Sequence, residues 1–128
     1  MPGVPVENLE QLWPMAEPLL KKAIDKGEGG WDIIDVKIDC EIGHYILWIV
    51  RSGKAAIILE VSEYHKGKQC DIVMIGGDYM DEWIGELEEI EGWAKRVGCD
   101  RMILTGRLGW QKILTEYTAK TVTMVKAL

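Results

Sequence analysis

Apolar residues recur along this chain in two rhythms, and the switches between them mark out its elements. From Asn8, which can cap a helix, Leu9, Leu12, Trp13, Ala16, Leu19, Leu20, Ala23 and Ile24 keep the three-four spacing of one buried helical face. Pro14 and Pro18 interrupt that face. A proline inside a helix removes a hydrogen bond at a cost of about 3 kcal/mol, so the expectation is a short lead-in turn with one of them near the helix start. Gly27, Gly29 and Gly30 then stop the segment. The stretch Trp31–Ile42 fits two periods. Val36, Ile38, Cys40 and Ile42 alternate with Lys37, Asp39 and Glu41 as in a half-exposed strand, while Trp31, Ile34, Ile38 and Ile42 fit a helical face about as well.

Three strands are predicted next, at Tyr45–Arg51, Lys54–Tyr64 and Asp71–Ile75. Ser52-Gly53 makes a two-residue hairpin turn and 65–68 a polar loop, which together give an antiparallel meander. Gly76-Gly77-Asp78 ends the third strand, and Asp78 with Asp81 resembles a helix N-cap with an acidic first turn. Trp83, Leu87, Ile90, Ala94 and Val97 then form one helical face, and Gly98 stands where a left-handed C-cap belongs. Arg101–Thr105 is a short strand, so the strand, helix, strand unit implies parallel pairing through a right-handed crossover. A short helix from about Leu108 to Tyr117 and a last strand from about Thr121 to Lys126 follow.

Composition narrows the function. The 128 residues match one domain, 1–128, and 48% apolar with 28% charged residues is the balance of a folded chain. The formal charge of -6, with no basic patch, argues against nucleic acid. Cys40, Cys70 and Cys99 have no metal or redox spacing and no signal peptide precedes them, so they are expected to be reduced and mostly buried in a cytoplasmic protein. The run Tyr45–Val50 is far short of the roughly 20 apolar residues that span a bilayer. His44 and His65 sit in turns with no partner that suggests a triad or a metal site.

The order of helices, meander, crossover helix, strand, short helix and strand resembles the GCN5-related N-acetyltransferase (GNAT) superfamily. The likeness is strongest in the C-terminal half, through Trp93-Ala94-Lys95-Arg96-Val97-Gly98-Cys99, Gly106-Arg107-Leu108-Gly109-Trp110, Leu114, Tyr117 and Lys126-Ala127-Leu128. These are similar to small phage proteins of acetyltransferase type, and Trp13, Pro18-Leu19 and Leu47-Trp48 extend the likeness more weakly into the N-terminal half. The resemblance implies an α/β fold, with an antiparallel meander joined to a parallel β-α-β unit and flanked by helices. It also implies that Trp31–Ile42 is a helix.

The same resemblance places acetyl-coenzyme A between two splayed parallel strands, with its pyrophosphate on Met74-Ile75-Gly76-Gly77-Asp78-Tyr79, where a helix N-terminus offers amides to an anion. The segment departs from the family pattern. It has two glycines but no adjacent basic residue, and Asp78, Asp81, Glu82, Glu86, Glu88, Glu89 and Glu91 place seven acids on the helix that it opens. The alternative is an ordinary strand-to-helix turn. For catalysis the candidates are Glu60, with Glu63, as base and Tyr117 as acid. Their structural counterparts are a solvated strand edge and a packing aromatic. Arg107, at the end of a strand, can grip a carboxylate or phosphate, or equally pair with a helix acid. No metal is expected. Six tryptophans and no phenylalanine read mostly as core, though an exposed pair would suggest a partner surface. Two functions therefore stand: an N-acyltransferase acting on an amine, and a non-catalytic phage protein that holds a phage or host partner, in the host cytoplasm or the virion.

Overall fold

The computed structural model describes residues 8–26, 30–77, 84–105, 114–120 and 124–128. Helix α1, Leu9–Lys26, runs through both prolines without a break, against the expected lead-in turn. Leu9, Trp13, Ala16 and Leu20 are buried along one side, while Pro14 and Pro18 lie on the exposed side. The carbonyls they leave without a helical donor, those of Glu10 and Pro14, therefore belong to exposed residues, where water can satisfy them. Helix α2, Ile33–Glu41, starts at Asp32, whose extended backbone and side chain, accepting from the Ile34 amide at 2.8 Å, make an N-cap. It buries Val36 and Cys40.

The sheet has the order β1-β2-β3-β4, with β1 Ile46–Ile49, β2 Ala55–Tyr64, β3 Gly67–Gly77 and β4 Arg101–Leu104. The first three are antiparallel, and β4 joins β3 in parallel. Strand β3 is longer at both ends than its apolar run. It begins at Gly67, opposite Tyr64, so the expected four-residue loop is a two-residue turn at His65-Lys66. Gly67 fits there because any Cβ would meet the Asp100 carboxylate, which accepts from the Lys68 amide at 3.1 Å. Arg101 donates from Nε and a terminal nitrogen to Gln69 Oε1 at 2.9 and 2.8 Å and stacks over the Tyr64 ring at 3.9 Å, holding the start of β4 against β3.

Apolar side chains cover both faces of the sheet. On one face α1 and α2 pack on Leu47, Ile49, Ala56, Ile58 and Met74. On the other, helix α3, Leu87–Arg96, sets Leu87, Ile90 and Ala94 on Trp48, Val50, Ile57, Leu59, Cys70 and Ile72. A 3-10 turn, Ile84–Glu86, precedes α3, and Gly98 closes it at φ +96, the left-handed cap its position predicts. Val97, expected on the buried face, is 37% exposed. The Asp78 cap and Trp83 lie outside the described residues, as does most of the predicted 108–117 helix. Leu114 to Tyr117 form a turn, and 124–126 of the expected last strand carry no strand pairing. Cys40 and Cys70 are buried and Cys99 partly so; burial pushes the first two thiols up to about 12. Among the described residues no helix is long and apolar enough to cross a membrane.

Candidate active site

The register of β3 builds the site. Leu59 stands opposite Ile72 but Ile58 opposite Met74, so Val73 is an extra residue, a β-bulge. Before the bulge Cys70 and Ile72 point toward α3; after it Met74 points to the α1–α2 side, a reversal of the simple alternation. Pairing with β4 covers Gln69–Arg101 through Ile72–Leu104. Among the described residues, Val73 to Gly77 have no β4 partner, so the backbone of β3 has an open edge where the parallel pair parts.

Just before this point, Asp71 and Glu60 are direct cross-strand partners. Alternation puts both on the α1–α2 face. Two carboxylates opposite each other are unfavourable unless something holds them. Burial pushes the Asp71 carboxyl up to about 6, with the Glu60 charge adding to it, and Asp71 Oδ1 is buried without a hydrogen-bond partner. Glu60 is held by His44, whose Nε2 lies 2.6 Å from Glu60 Oε2. His44 also stacks on Tyr45 at 5.0 Å, and Trp31 meets Tyr45 edge-on at 6.4 Å. Tyr45 is buried, and burial, then Glu60, Asp39 and Asp71, push its phenol up. The result is an acidic, aromatic-lined end of the face. A carboxyl poised near 6 can accept a proton at neutral pH, and the pair of acids favours a cation.

Sequence reasoning singled out Glu60 from this group and missed Asp71 and His44. Of the coenzyme segment, Met74 is core and Ile75 half-buried, and Gly76 and Gly77 belong to β3 rather than to a loop. Both glycines have packing reasons. A Cβ on Gly76 would stand 2.0 Å from the Leu19 carbonyl oxygen, and one on Gly77, at φ +148, 2.3 Å from that of Lys54. Asp78, Tyr79 and Arg107 lie outside the described residues. Arg51 reaches the start of α3, where Glu86 accepts from its backbone N–H and Glu89 pairs with its guanidinium. Tyr117 is not near Glu60's face: it packs against the α3-side core and donates its hydroxyl to Glu91 Oε2 at 2.7 Å. Burial and that bond push its phenol well above the usual range. No group of side chains suited to a metal ion occurs among the described residues. A shallow cavity of about 240 Å³ between α1 and the β1–β2 turn, lined by Leu12, Met15, Ile49 and Arg51 among others, lies at the β1 edge, away from the splay.

A bulged antiparallel meander that opens onto a parallel strand, with helices on both faces, is a mixed α/β architecture. More specifically, the chain has the GNAT fold. Solved structures similar over almost all of both chains include an aminoglycoside acetyltransferase from an uncultured soil metagenomic sample, in complex with sisomicin (TM-score 0.70, 8% identity, 99% of this chain and 94% of that). Glucosamine-6-phosphate N-acetyltransferase from Arabidopsis thaliana (0.63, 14%, 98% and 95%) and a GCN5-related N-acetyltransferase from Ralstonia eutropha JMP134 (0.62, 18%, 99% and 96%) are also similar. By sequence the chain matches no family model and no curated relative.

Proposed function

We propose that this protein is an acyl-coenzyme A-dependent N-acyltransferase of the cytoplasm, with acetyl-coenzyme A as donor, in which Asp71 takes the proton from an amine substrate. The observation that carries this is the Asp71 carboxyl, with its unpartnered buried oxygen and its titration near 6, two residues before the bulge where β3 opens. The residues fit the donor's arm. The N–H and C=O groups of β3 between Val73 and Gly77 that face away from β2, and have no β4 partner among the described residues, can bond the amides of a pantetheine chain as a strand would. The donor supplies an activated acyl thioester.

The protein's own part is to hold and deprotonate the acceptor. Amines arrive as ammonium ions, and Glu60 with Asp71 offers them two acids on one face. The Asp71 carboxylate takes one proton from the bound ammonium so that the free amine can attack the thioester carbonyl, and the nitrogen's second proton passes to solvent as the C–S bond breaks. His44 fixes Glu60 so that the acids keep their spacing. Tyr117 is the candidate to return a proton to the departing thiolate, for which its hydroxyl must turn from Glu91. Because Gly76 and Gly77 are engaged in packing, contact with the pyrophosphate falls to the residues after them, Asp78 and Tyr79 among them, and to Arg107.

A second reading, a non-catalytic phage protein that keeps the fold to hold a partner in the host cytoplasm or the virion, is favoured by one feature. No Lys or Arg occurs between Lys68 and Lys95, through the whole coenzyme segment and α3. Thermal unfolding with and without acetyl-coenzyme A separates the two. A donor at 100 times its dissociation constant adds about 2.7 kcal/mol to stability. No shift at millimolar donor rejects the transferase; a shift, followed by thiol release with an amine panel that Asp71→Asn abolishes, supports it.

A further inference from the structure

Helix α2 is apolar on two opposite sides. Its inner side, Ile33, Val36 and Cys40, packs on the sheet. Its outer side carries Ile34 and Ile38, continued by the C-cap residue Ile42, 65%, 48% and 72% exposed, with Trp31 half-exposed just before the N-cap. At 3.6 residues per turn these isoleucines drift slowly along one line about 12 Å long. A helix apolar on both sides is normally covered on both. Isolated exposed isoleucines need no explanation, but three in register on one helix form a stripe.

Charge selects what covers it. Helical geometry sets Asp35 and Asp39 along one margin of the stripe and Glu41 and Lys37 along the other, and Lys37 lies 3.5 Å from Glu10. The rim is therefore acidic, on a chain of net charge -6. A second copy packed about a twofold axis would set acids against acids. An anionic membrane surface would be repelled for the same reason. We infer that the outer face of α2 docks a basic amphipathic helix of a partner protein, whose apolar residues lie on Ile34, Ile38 and Ile42 and whose lysines or arginines meet Asp35, Asp39 and Glu41. The docking face adjoins the acidic site at Trp31 and Asp39, but its isoleucines take no part in the acyltransferase chemistry, and the inference stands whether or not the donor binds.

Fluorescence anisotropy with the full chain tests this, using two labelled 18-residue helical peptides of identical leucine spacing. One carries lysine and the other glutamate at the polar positions. The leucine–lysine peptide binds and the leucine–glutamate peptide does not. Ile38→Asp supplies the decisive arm: it adds negative charge, so binding by charge alone tightens, whereas docking on the stripe weakens at least tenfold. Ile38→Ser weakens it as well. Because Ile38 is half-exposed, unfolding of both variants monitored alongside stays near that of the wild type. Equal or tighter binding by Ile38→Asp overturns the inference, as does failure of the lysine peptide to bind. Light scattering that finds a dimer dispersed by Ile38→Asp also overturns it, since a second copy is then the occupant.

Discussion

Substitution of Gly76 by alanine separates a glycine kept for a ligand from one kept for packing. The backbone at Gly76 is not in the positive-φ region, so alanine meets no conformational penalty there. In a strand, replacing glycine by alanine without a clash gains about 0.5–1 kcal/mol through the unfolded chain. The structure predicts the opposite sign. The new Cβ would lie 2.0 Å from the Leu19 carbonyl oxygen and 3.1 Å from Leu20 Cα, both backbone atoms. Helix α1 would have to withdraw by more than 1 Å, and Ala16 and Leu20 hold it to the sheet with no exposure at all. Overpacking against backbone costs about 3 kcal/mol, the upper part of the usual range, and leaves a net loss of roughly 2 kcal/mol. In a domain of this size that lowers Tm by about 6–12 °C. Calorimetry without ligand measures it, with Gly85→Ala as control, since a Cβ there meets nothing within 4 Å and Tm should hold or rise. A Gly76→Ala protein as stable as the wild type, but weakened toward acetyl-coenzyme A, would refute the packing argument and return Gly76 to the ligand.

Asp71→Asn should lower thiol release by a factor of about 10² to 10⁴ while acetyl-coenzyme A binding persists, as removal of a general base does. The same variant should be more stable than the wild type at pH 7.5 and lose that advantage near pH 4, by urea midpoints at each pH. The folded carboxyl titrates near 6 against 3.8 when unperturbed, so its contribution to stability is present below about 4 and is lost as pH rises through 6. Tyr117→Phe removes the hydroxyl from Glu91 and should cost about 1–2 kcal/mol in denaturant titration; a fall in turnover below tenfold assigns Tyr117 to packing, and 10² or more to proton donation. In native protein a thiol reagent should label Cys99 first, because Cys40 and Cys70 are buried and titrate near 12; labelling of all three at one rate would contradict the burial.

Two kinds of element are legible in the sequence: helix α3, whose Leu87, Ile90 and Ala94 keep one apolar face, and strands β1 and β2, whose short continuous apolar runs are buried on both faces of the sheet. Helix α2 is not, because Ile34, Ile38 and Ile42 on its outer side fill the gaps left by Ile33, Val36 and Cys40, and both periods then fit; only the family resemblance selects the helix. The apolar pattern places the start of strand β3 too late, because its first residues, Gly67, Lys68 and Gln69, are not apolar. All three pair with β2 across the turn, and contacts distant in sequence fix them further: Gln69 pairs with Arg101, and the Lys68 amide donates to Asp100. That error hid the acidic pair. Once the turn is placed at His65-Lys66, Glu60 and Asp71 fall at equal distances from it and must face each other. A two-residue turn was the available signal, and a four-residue loop obscured it.

The bulge at Val73 ties fold and site together. Without the extra residue, Met74 would share the α3 face with Ile72, and position 76 would turn away from α1. With it, Met74 joins the α1–α2 core and Gly76 presents a bare backbone to Leu19, which lets α1 settle directly on β3. The same irregularity breaks the ladder where β4 leaves, so the open edge of β3 and the half-buried acid before it arise from one local feature. This makes the placement of Asp71 difficult to explain as a packing accident. An unpartnered carboxyl opposite a second acid destabilises the sheet, and nothing in the core requires it, whereas the glycines after it are required by their neighbours. Of the two features the segment offers to chemistry, the acid is therefore the better evidence for a site, and the glycines are evidence for the fold.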